Sequence, residues 1–312
     1  MAKVPYIGVD GVARKCKSLY IGVDGVARKV KSGYIGVNGV ARQFYCSAMP
    51  KPDGDAYLTF ISPEVFSIKA SKRWDGTLEY FTVDGTWTEW DGSSIQAKNG
   101  DDGYALYFRG TGNTTITANR ISSSYKWSIT GTDVQCIGNI ETLLDYATVE
   151  LGNHPAMNTA CYGHMFDGCT CLTTAPYLPA TTASNYCYTH MFQGCTGLTQ
   201  APPLPATTLG KNCYWYMFSG CTNLTTVPSL PATTFETRCY ANMFENCEKI
   251  KLSTTNTGEY INAYRIPTSG TGTTSAEADY ITDYMFTNTG GTFTGTPDIN
   301  TTYYLSSSNE IV

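Results

Sequence analysis

A 26-residue repeat constrains the carboxy-terminal half of this chain more than any other feature. Cys161, Cys187, Cys213 and Cys239 each lie 26 positions apart, and a Met-Phe pair and a second cysteine follow each of them at a fixed distance. A constant period of this size is typical of a solenoid, in which each copy forms one coil. A single coil buries too little apolar surface to offset the cost of ordering it, so the coils must stack on one another.

The residues that recur in each copy form the predicted core of the coils. This core comprises Cys161, Phe166, Cys169, Phe192, Cys195, Phe218, Cys221 and Phe244. The chain has 12 cysteines, an even number that is compatible with disulfides. We expect buried free thiols instead, because the sequence starts without an export signal that would indicate an oxidising compartment. Cys171 lies outside the repeating columns and is the cysteine we expect to be exposed.

Positions that vary from copy to copy lie beside this core and form a candidate binding face. The residues proposed for it are His164, His190, Trp215, Tyr216 and Asn242. Variable polar and aromatic side chains on a regular scaffold are typical of a binding surface, and plain solvent exposure is the alternative. The copies that follow the two histidines supply no further metal ligands, so we predict no metal site and no cofactor.

The first 46 residues contain a shorter repeat, with a period of 14 residues. Each copy places an Asp-Gly or Asn-Gly pair between two short β-prone runs, which predicts three hairpins with two-residue turns. Residues 1–45 carry eight basic and two acidic side chains, a balance of about +6 in a chain whose net charge is −5. The candidate anchor residues of this arm are Tyr6, Arg14, Lys15, Tyr20, Arg28, Lys29, Tyr34 and Arg42.

A basic arm on an acidic protein predicts docking to a negatively charged partner. We favour an acidic protein shell over nucleic acid as that partner. The alternative is that these lysines and arginines only keep exposed strand edges soluble. Three small hairpins bury little apolar surface, so we expect a partner or further copies of the chain to order the arm.

The middle of the chain has no repeat but several short β-prone runs separated by turn pairs. The predicted strands are Ala56–Ile61, Val65–Ala70, Leu78–Val83, Ala105–Arg109, Thr114–Ala118 and Tyr125–Thr130. This spacing is typical of an immunoglobulin-like β-sandwich. Its tryptophans could stack on sugar rings, but they are more often core residues. We therefore predict a mainly β protein with an arm at 1–46, a sandwich at 47–135 and a solenoid with short helical turns at 136–312.

The repeat unit Cys-Tyr-x-x-Met-Phe-x-Gly-Cys-x-x-Leu-Thr-x-Ala-Pro-x-Leu-Pro-Ala-Thr-Thr resembles the BspA-type leucine-rich repeat. The resemblance covers about residues 156–252, with a leading cap near 136–144 and a diverged last copy near 284–288. The combination of the Tyr-Ile-Gly-Val-Asp-Gly-Val-Ala-Arg-Lys arm with these repeats is also similar to virion proteins of tailed bacteriophages that infect gut bacteria. It implies a structural or host-adhesion role.

These features together predict a non-enzymatic virion surface protein, such as a fibre or a capsid or tail decoration. The arm would bind other virion proteins, and the repeats would bind a host surface glycan or protein. Fibre analogy suggests a homo-oligomer, with a trimer as one possibility. We expect assembly in the host cytoplasm and no membrane segment. The alternative is a bacterial cell-surface adhesin. The sequence shows no catalytic constellation, so we name no catalytic residue.

Overall fold

The computed structural model describes residues 57–83, 85–100, 103–117, 122–268 and 270–312, together with the backbone of six strands nearer the amino terminus. The described part is mainly β, as predicted, with a single α-helix and one short 3-10 helix. Backbone contacts divide the chain into two compact units, Met1–Asp53 and Gly54–Val312. No helix among the described residues is long and apolar enough to cross a bilayer.

The amino-terminal unit contains three antiparallel strand pairs. The strands are β1 (Tyr6–Val9), β2 (Val12–Lys15), β3 (Tyr20–Val23), β4 (Val26–Lys29), β5 (Ser32–Val37) and β6 (Val40–Cys46). Val9 pairs with Val12, Val23 with Val26 and Val37 with Val40, so two residues separate the strands of each pair, as predicted. The side chains of the candidate anchor residues lie outside the described part of the molecule.

Two sheets form the start of the second unit. Their strands are β7 (Leu58–Ser62), β8 (Ser67–Ala70), β9 (Thr77–Phe81), β10 (Thr88–Glu89), β11 (Ile95–Gln96), β12 (Lys98–Gly100), β13 (Gly103–Thr111), β14 (Trp127–Thr130) and β15 (Val134–Ile137). The larger sheet has the order β10-β9-β13-β7-β15, with β12 also on β13, and the smaller one has the order β11-β8-β14. A 3-10 helix at Ser123–Tyr125 precedes β14.

Aromatic side chains fill the core of these sheets. Trp74, Trp90 and Trp127 are at most 4% exposed, so they are core residues, whereas Trp87 is half-buried. The strand predicted at Thr114–Ala118 is wrong over its described residues, 114–117. The backbone N–H groups of Ile116 and Thr117 donate to the carbonyl of Cys161 in the repeat region instead of to a neighbouring strand.

The middle region continues directly into the first repeat. Helix α1 (Thr142–Glu150) follows β15, and its backbone leaves helical geometry at Asp145. Strand β15 pairs in parallel with β16 (Leu172–Thr174) of the first repeat. The backbone N–H of Trp127 donates to the Met165 carbonyl at 2.8 Å, and one buried apolar cluster extends through both regions. The domain boundary predicted at residues 135/136 therefore lies inside a single compact unit.

The 26-residue copies stack as parallel coils. The remaining strands are β17 (Thr182–Ala183), β18 (Thr208–Leu209), β19 (Thr226–Val227), β20 (Thr234–Phe235), β21 (Leu252–Ser253), β22 (Tyr260–Ile266), β23 (Thr273–Thr274), β24 (Thr301–Ser306) and β25 (Glu310–Ile311). Strands β17, β18, β20 and β23 come from successive copies and form a parallel ladder. The last strand, β25, pairs with β19 of the third coil.

Each coil also contains a run of consecutive turns in place of the short helical turns expected from the sequence. In the first coil the Met165 N–H donates to the Tyr162 carbonyl three residues earlier, at 3.0 Å. The neighbouring His164 N–H donates instead to Thr189 of the next coil, at 2.9 Å. This alternation continues along the run, so a segment that is neither helix nor strand still pairs its backbone N–H groups.

Side chains at equivalent positions form continuous ladders through the coils. Phe166, Phe192, Phe218, Phe244 and Phe286 stack with ring centroids 5.4–5.7 Å apart. Tyr162, Tyr188, Tyr214 and Tyr240 form a second ladder at 5.7–6.0 Å. Because Phe286 continues the first ladder, the diverged copy near residue 284 is a fifth coil.

Candidate functional site

The candidate binding residues lie on the turn segments of the coils, a surface that we call the turn face. It is formed by residues 160–168 of the first coil and by the equivalent residues of the other four. Every fourth residue of this segment has a positive φ. The non-glycine residues in this conformation, with φ between 52° and 60°, are Ala160, His164, Tyr186, His190, Asn212, Tyr216, Arg238, Asn242, Asn246, Tyr280, Tyr284 and Asn288.

This backbone conformation makes side chains on the turn face costly. Glycine adopts a positive φ without a steric penalty, whereas other residues pay about 1–2 kcal/mol for it. The chain uses Gly168, Gly194 and Gly220 at one such position in the first three coils. At the position four residues earlier it carries His164, His190 and Tyr216 instead. Contacts of these side chains must offset the backbone cost.

The rings of this column stack on one another. The His164 and His190 rings have centroids 4.3 Å apart with an interplanar angle of 16°. His190 and Tyr216 follow at 4.9 Å and 23°. The Trp215 ring meets His190 at 5.1 Å with an angle of 77°, and it lies 5.1 Å from the Tyr216 ring. Four of the five predicted residues therefore form one contiguous aromatic cluster across three coils.

The five predicted residues differ in their exposure. His164 and Asn242 are each only 7% exposed, whereas His190, Trp215 and Tyr216 are half-buried. Asn242 lies one coil beyond Tyr216, and its Nδ2 donates to Glu245 Oε2 at 3.2 Å. The half-buried rings of His190, Trp215 and Tyr216 are therefore the members of the set that can contact a ligand, and His164 and Asn242 support them.

Hydrogen bonds fix the orientation of the two histidines. His164 Nδ1 lies 2.8 Å from Asp167 Oδ2. The Thr189 hydroxyl donates to the Trp215 carbonyl at 3.1 Å and lies 3.2 Å from His190 Nδ1. The tautomer with its hydrogen on His190 Nδ1 satisfies both contacts, because the Thr189 hydroxyl proton is then used on the carbonyl. The Nε2 atom of neutral His190 is then an acceptor.

Burial keeps His190 neutral near physiological pH. Desolvation, together with the neighbouring His164, lowers the His190 pKa from 6.5 to about 4, and Asp167 offsets part of this effect. Among the described residues, no group of three or more His, Cys, Asp or Glu side chains is placed to hold a metal ion. At His190, Trp215 and Tyr216 the turn face therefore offers ring planes, ring edges and a neutral imidazole.

The fifth coil adds aromatic residues to the face that were not predicted from the sequence. Tyr284 occupies the same column as Tyr216 and is 59% exposed, and Tyr280 is 57% exposed. The Arg238 guanidinium lies 5.2 Å from the centre of the Tyr280 ring, a cation–π distance. An inserted segment before the fifth coil interrupts the 26-residue period. The Met285-Phe286 pair was the signal that could have aligned Tyr284 with the earlier copies.

The eight predicted core residues are all buried, with exposures of at most 4%. The ten cysteines among the described residues are free, and Cys171 is half-buried. The thiols of Cys195 and Cys221 each donate to a phenylalanine carbonyl of the preceding coil at 3.0 Å, and Cys247 does so at 3.1 Å. Burial raises the pKa of these thiols, so they stay protonated and act as packing groups.

The chain matches no family model, no curated protein and no solved structure.

Proposed function

We propose that the chain is a non-enzymatic virion surface protein, a fibre or a capsid or tail decoration, whose turn face adheres to the host surface. The aromatic cluster of His164, His190, Trp215 and Tyr216 carries this proposal. Exposed ring faces beside neutral hydrogen-bonding groups suit sugar rings and protein side chains alike. His164, His190 and Tyr216 carry large side chains at positive-φ positions where glycine would be less strained. This favours a role for these side chains beyond packing.

We also propose the fold families of the coil region and of the middle region. The coil region is a BspA-type leucine-rich repeat, which is supported by parallel strands at equivalent positions of successive coils and by the buried column of Leu172, Leu198 and Leu224. The middle region is immunoglobulin-like, which is supported by its two sheets of short, mostly antiparallel strands. The basic hairpin arm binds other virion proteins, and several copies of the chain act together so that weak contacts reinforce one another.

Adhesion is tested with the fluorescently labelled full-length chain on a panel of gut bacterial isolates. The Trp215→Ala/Tyr216→Ala double variant should lose at least about tenfold in cell binding, because aromatic anchors dominate such interfaces. Tyr177→Ala is the matched control, because Tyr177 is 50% exposed and lies outside the turn face. Cell binding that is equal for the wild type and the double variant would contradict the proposed site.

Virion location is tested by immunogold electron microscopy of phage particles that carry this gene. Gold particles should label the capsid or tail surface. If purified particles lack the chain and the surface of bacterial cells carries it, a virion role is contradicted and a bacterial surface adhesin is supported.

A further inference from the structure

A pocket separate from the turn face lies between residues that flank α1 at both ends and the segment around β17. Its volume is about 270 Å³, close to the lower limit of about 300 Å³ that is usual for small-molecule sites. Glu141, His154, Met157, Thr181, Thr182 and Ser184 contribute to its lining. None of these residues belongs to the aromatic cluster, so the pocket can be tested independently of the proposed adhesion face.

The Glu141 carboxylate is the unusual group in this pocket. Its side chain is only 2% exposed, and its Oε2 lies 2.8 Å from His154 Nδ1. His154 is the sole hydrogen-bond partner that the described residues provide for this carboxylate. Burial raises the Glu141 pKa, although His154 opposes the shift. A buried carboxylate with a single partner is costly, and a ligand that donates hydrogen bonds to its other oxygen would reduce that cost.

The remaining lining is suited to a neutral ligand with many hydroxyl groups. Thr181 and Thr182 are exposed and offer hydroxyls that can donate or accept. The Ser184 hydroxyl donates to the Asn158 carbonyl at 2.8 Å, and a hydroxyl oxygen can also accept. Met157 and Pro155 supply apolar surface beside these groups. Because His154 Nδ1 already contacts the Glu141 carboxylate at 2.8 Å, a neutral ligand that donates hydrogen bonds is sufficient for the pocket.

A second groove adjoins the pocket and extends along the coils. It has a volume of about 530 Å³ and shares Met157 and Ser184 with the pocket. Its further lining includes Asn185, Thr208 and Lys211 of the second and third coils. The two cavities together form a polar track that starts at Glu141 and passes the parallel ladder of β17 and β18. A linear chain of sugar units has the matching shape and hydrogen-bonding character.

We propose that this track binds an oligosaccharide, with its terminal sugar in the Glu141–His154 pocket. The Glu141 carboxylate accepts hydrogen bonds from sugar hydroxyls, and Met157 packs against the apolar face of the sugar ring. The adjoining groove holds the next sugar units. This site is additional to the turn face and does not depend on the adhesion proposal.

The test uses a panel of methyl glycosides of common bacterial surface hexoses, measured by NMR on the full chain with isotope-labelled methionine methyl groups. Met157→Leu identifies the Met157 resonance. At least one glycoside should shift this resonance in a saturable way. Glu141→Gln should weaken that binding by about tenfold or more, which corresponds to about 1.4 kcal/mol.

Two further variants locate the binding. Thr182→Val removes a pocket hydroxyl from a β-strand position without altering the buried core, so it tests the site even if Glu141→Gln impairs folding. Trp215→Ala should leave glycoside binding unchanged. The proposal is overturned if no glycoside shifts the Met157 resonance, if Thr182→Val and a folded Glu141→Gln bind as the wild type does, or if Trp215→Ala abolishes binding.

Discussion

The coil region and the middle region bury similar aromatic residues in different ways. Within the coils, the phenylalanine rings stack with interplanar angles between 3° and 20°. In the middle region, Phe60 meets Phe108 at 89° and Trp90 meets Trp127 at 76°, while Trp74 stacks on Trp90 at 17°. In the coil core, the same side chain recurs at each repeat and stacks on its equivalents. In the core of the middle region, different side chains pack against one another.

This difference determines where a single substitution acts. A ladder residue contacts copies of itself above and below, so its loss leaves a gap between two otherwise unchanged coils. A residue of the middle core contacts several different partners, and these can rearrange to different extents. Substitutions at both kinds of position test this contrast.

Phe218→Ala should be the most destabilising of these substitutions. Phe218 is fully buried between Phe192 and Phe244, so its removal should lower the free energy of unfolding by about 3–5 kcal/mol. Chemical denaturation followed by circular dichroism measures this change. The control is Phe293→Ala, because Phe293 is half-buried and contacts Tyr303 outside the ladder. A loss for Phe218→Ala no larger than that of the control would contradict the ladder as a main source of stability.

Ladder residues such as Phe218 could be predicted from the sequence because the period alone places them in one column. The same period predicted the buried cysteines. The pairing of β25 with β19 could not be predicted in this way, because it joins segments far apart in sequence without a shared motif. The Glu141–His154 pair spans only 13 residues, but no motif in the sequence marks it. The order of strands in the middle region depends on packing that no spacing reveals.

Asn309→Ala should destabilise the coils at the position where the last strand joins them. Asn309 is fully buried; its Oδ1 accepts from the Lys251 N–H at 2.9 Å, and its Nδ2 donates to the carbonyls of Thr225 and Lys249. Leaving these backbone groups unpaired should cost on the order of 3 kcal/mol. Thermal and chemical unfolding measure the loss, and Asn256→Ala at an exposed position is the control. Equal stability of the two variants would show that Asn309 does not close the coil stack.

The turn face should make the protein sensitive to mild acid. The His190 pKa is lowered from 6.5 to about 4, so between these values the unfolded chain binds a proton that the folded chain does not. Stability should therefore fall by about 2–3 kcal/mol as the pH drops from 6.5 to 4, and the contribution of His190 should level off as the pH falls below 4. The neighbouring groups that set this shift are His164 and Asp167.

The measurement for His190 is the free energy of unfolding across this pH range for the wild type and for His190→Gln. Glutamine can still donate to the Thr189 hydroxyl but does not titrate. The difference in stability between the two proteins should change with pH by the amount expected for His190. A difference that is constant between pH 6.5 and 4 would contradict the buried, neutral state of this histidine.

The smallest effect is expected for Trp74→Phe in the middle region. Trp74 is 4% exposed, and its indole N–H has no hydrogen-bond partner among the described residues. Phenylalanine removes this buried unpaired donor and keeps an aromatic ring beside Trp90, so the gain offsets most of the lost volume. The free energy of unfolding should change by about 1 kcal/mol or less.

The matched control is Trp90→Phe, which should cost about 1 kcal/mol more, because the Trp90 indole N–H donates to the Ser93 carbonyl at 2.8 Å. Equal losses for the two variants would show that volume, not hydrogen bonding, sets the cost in this core, which would make it more similar to the phenylalanine ladder than its geometry implies.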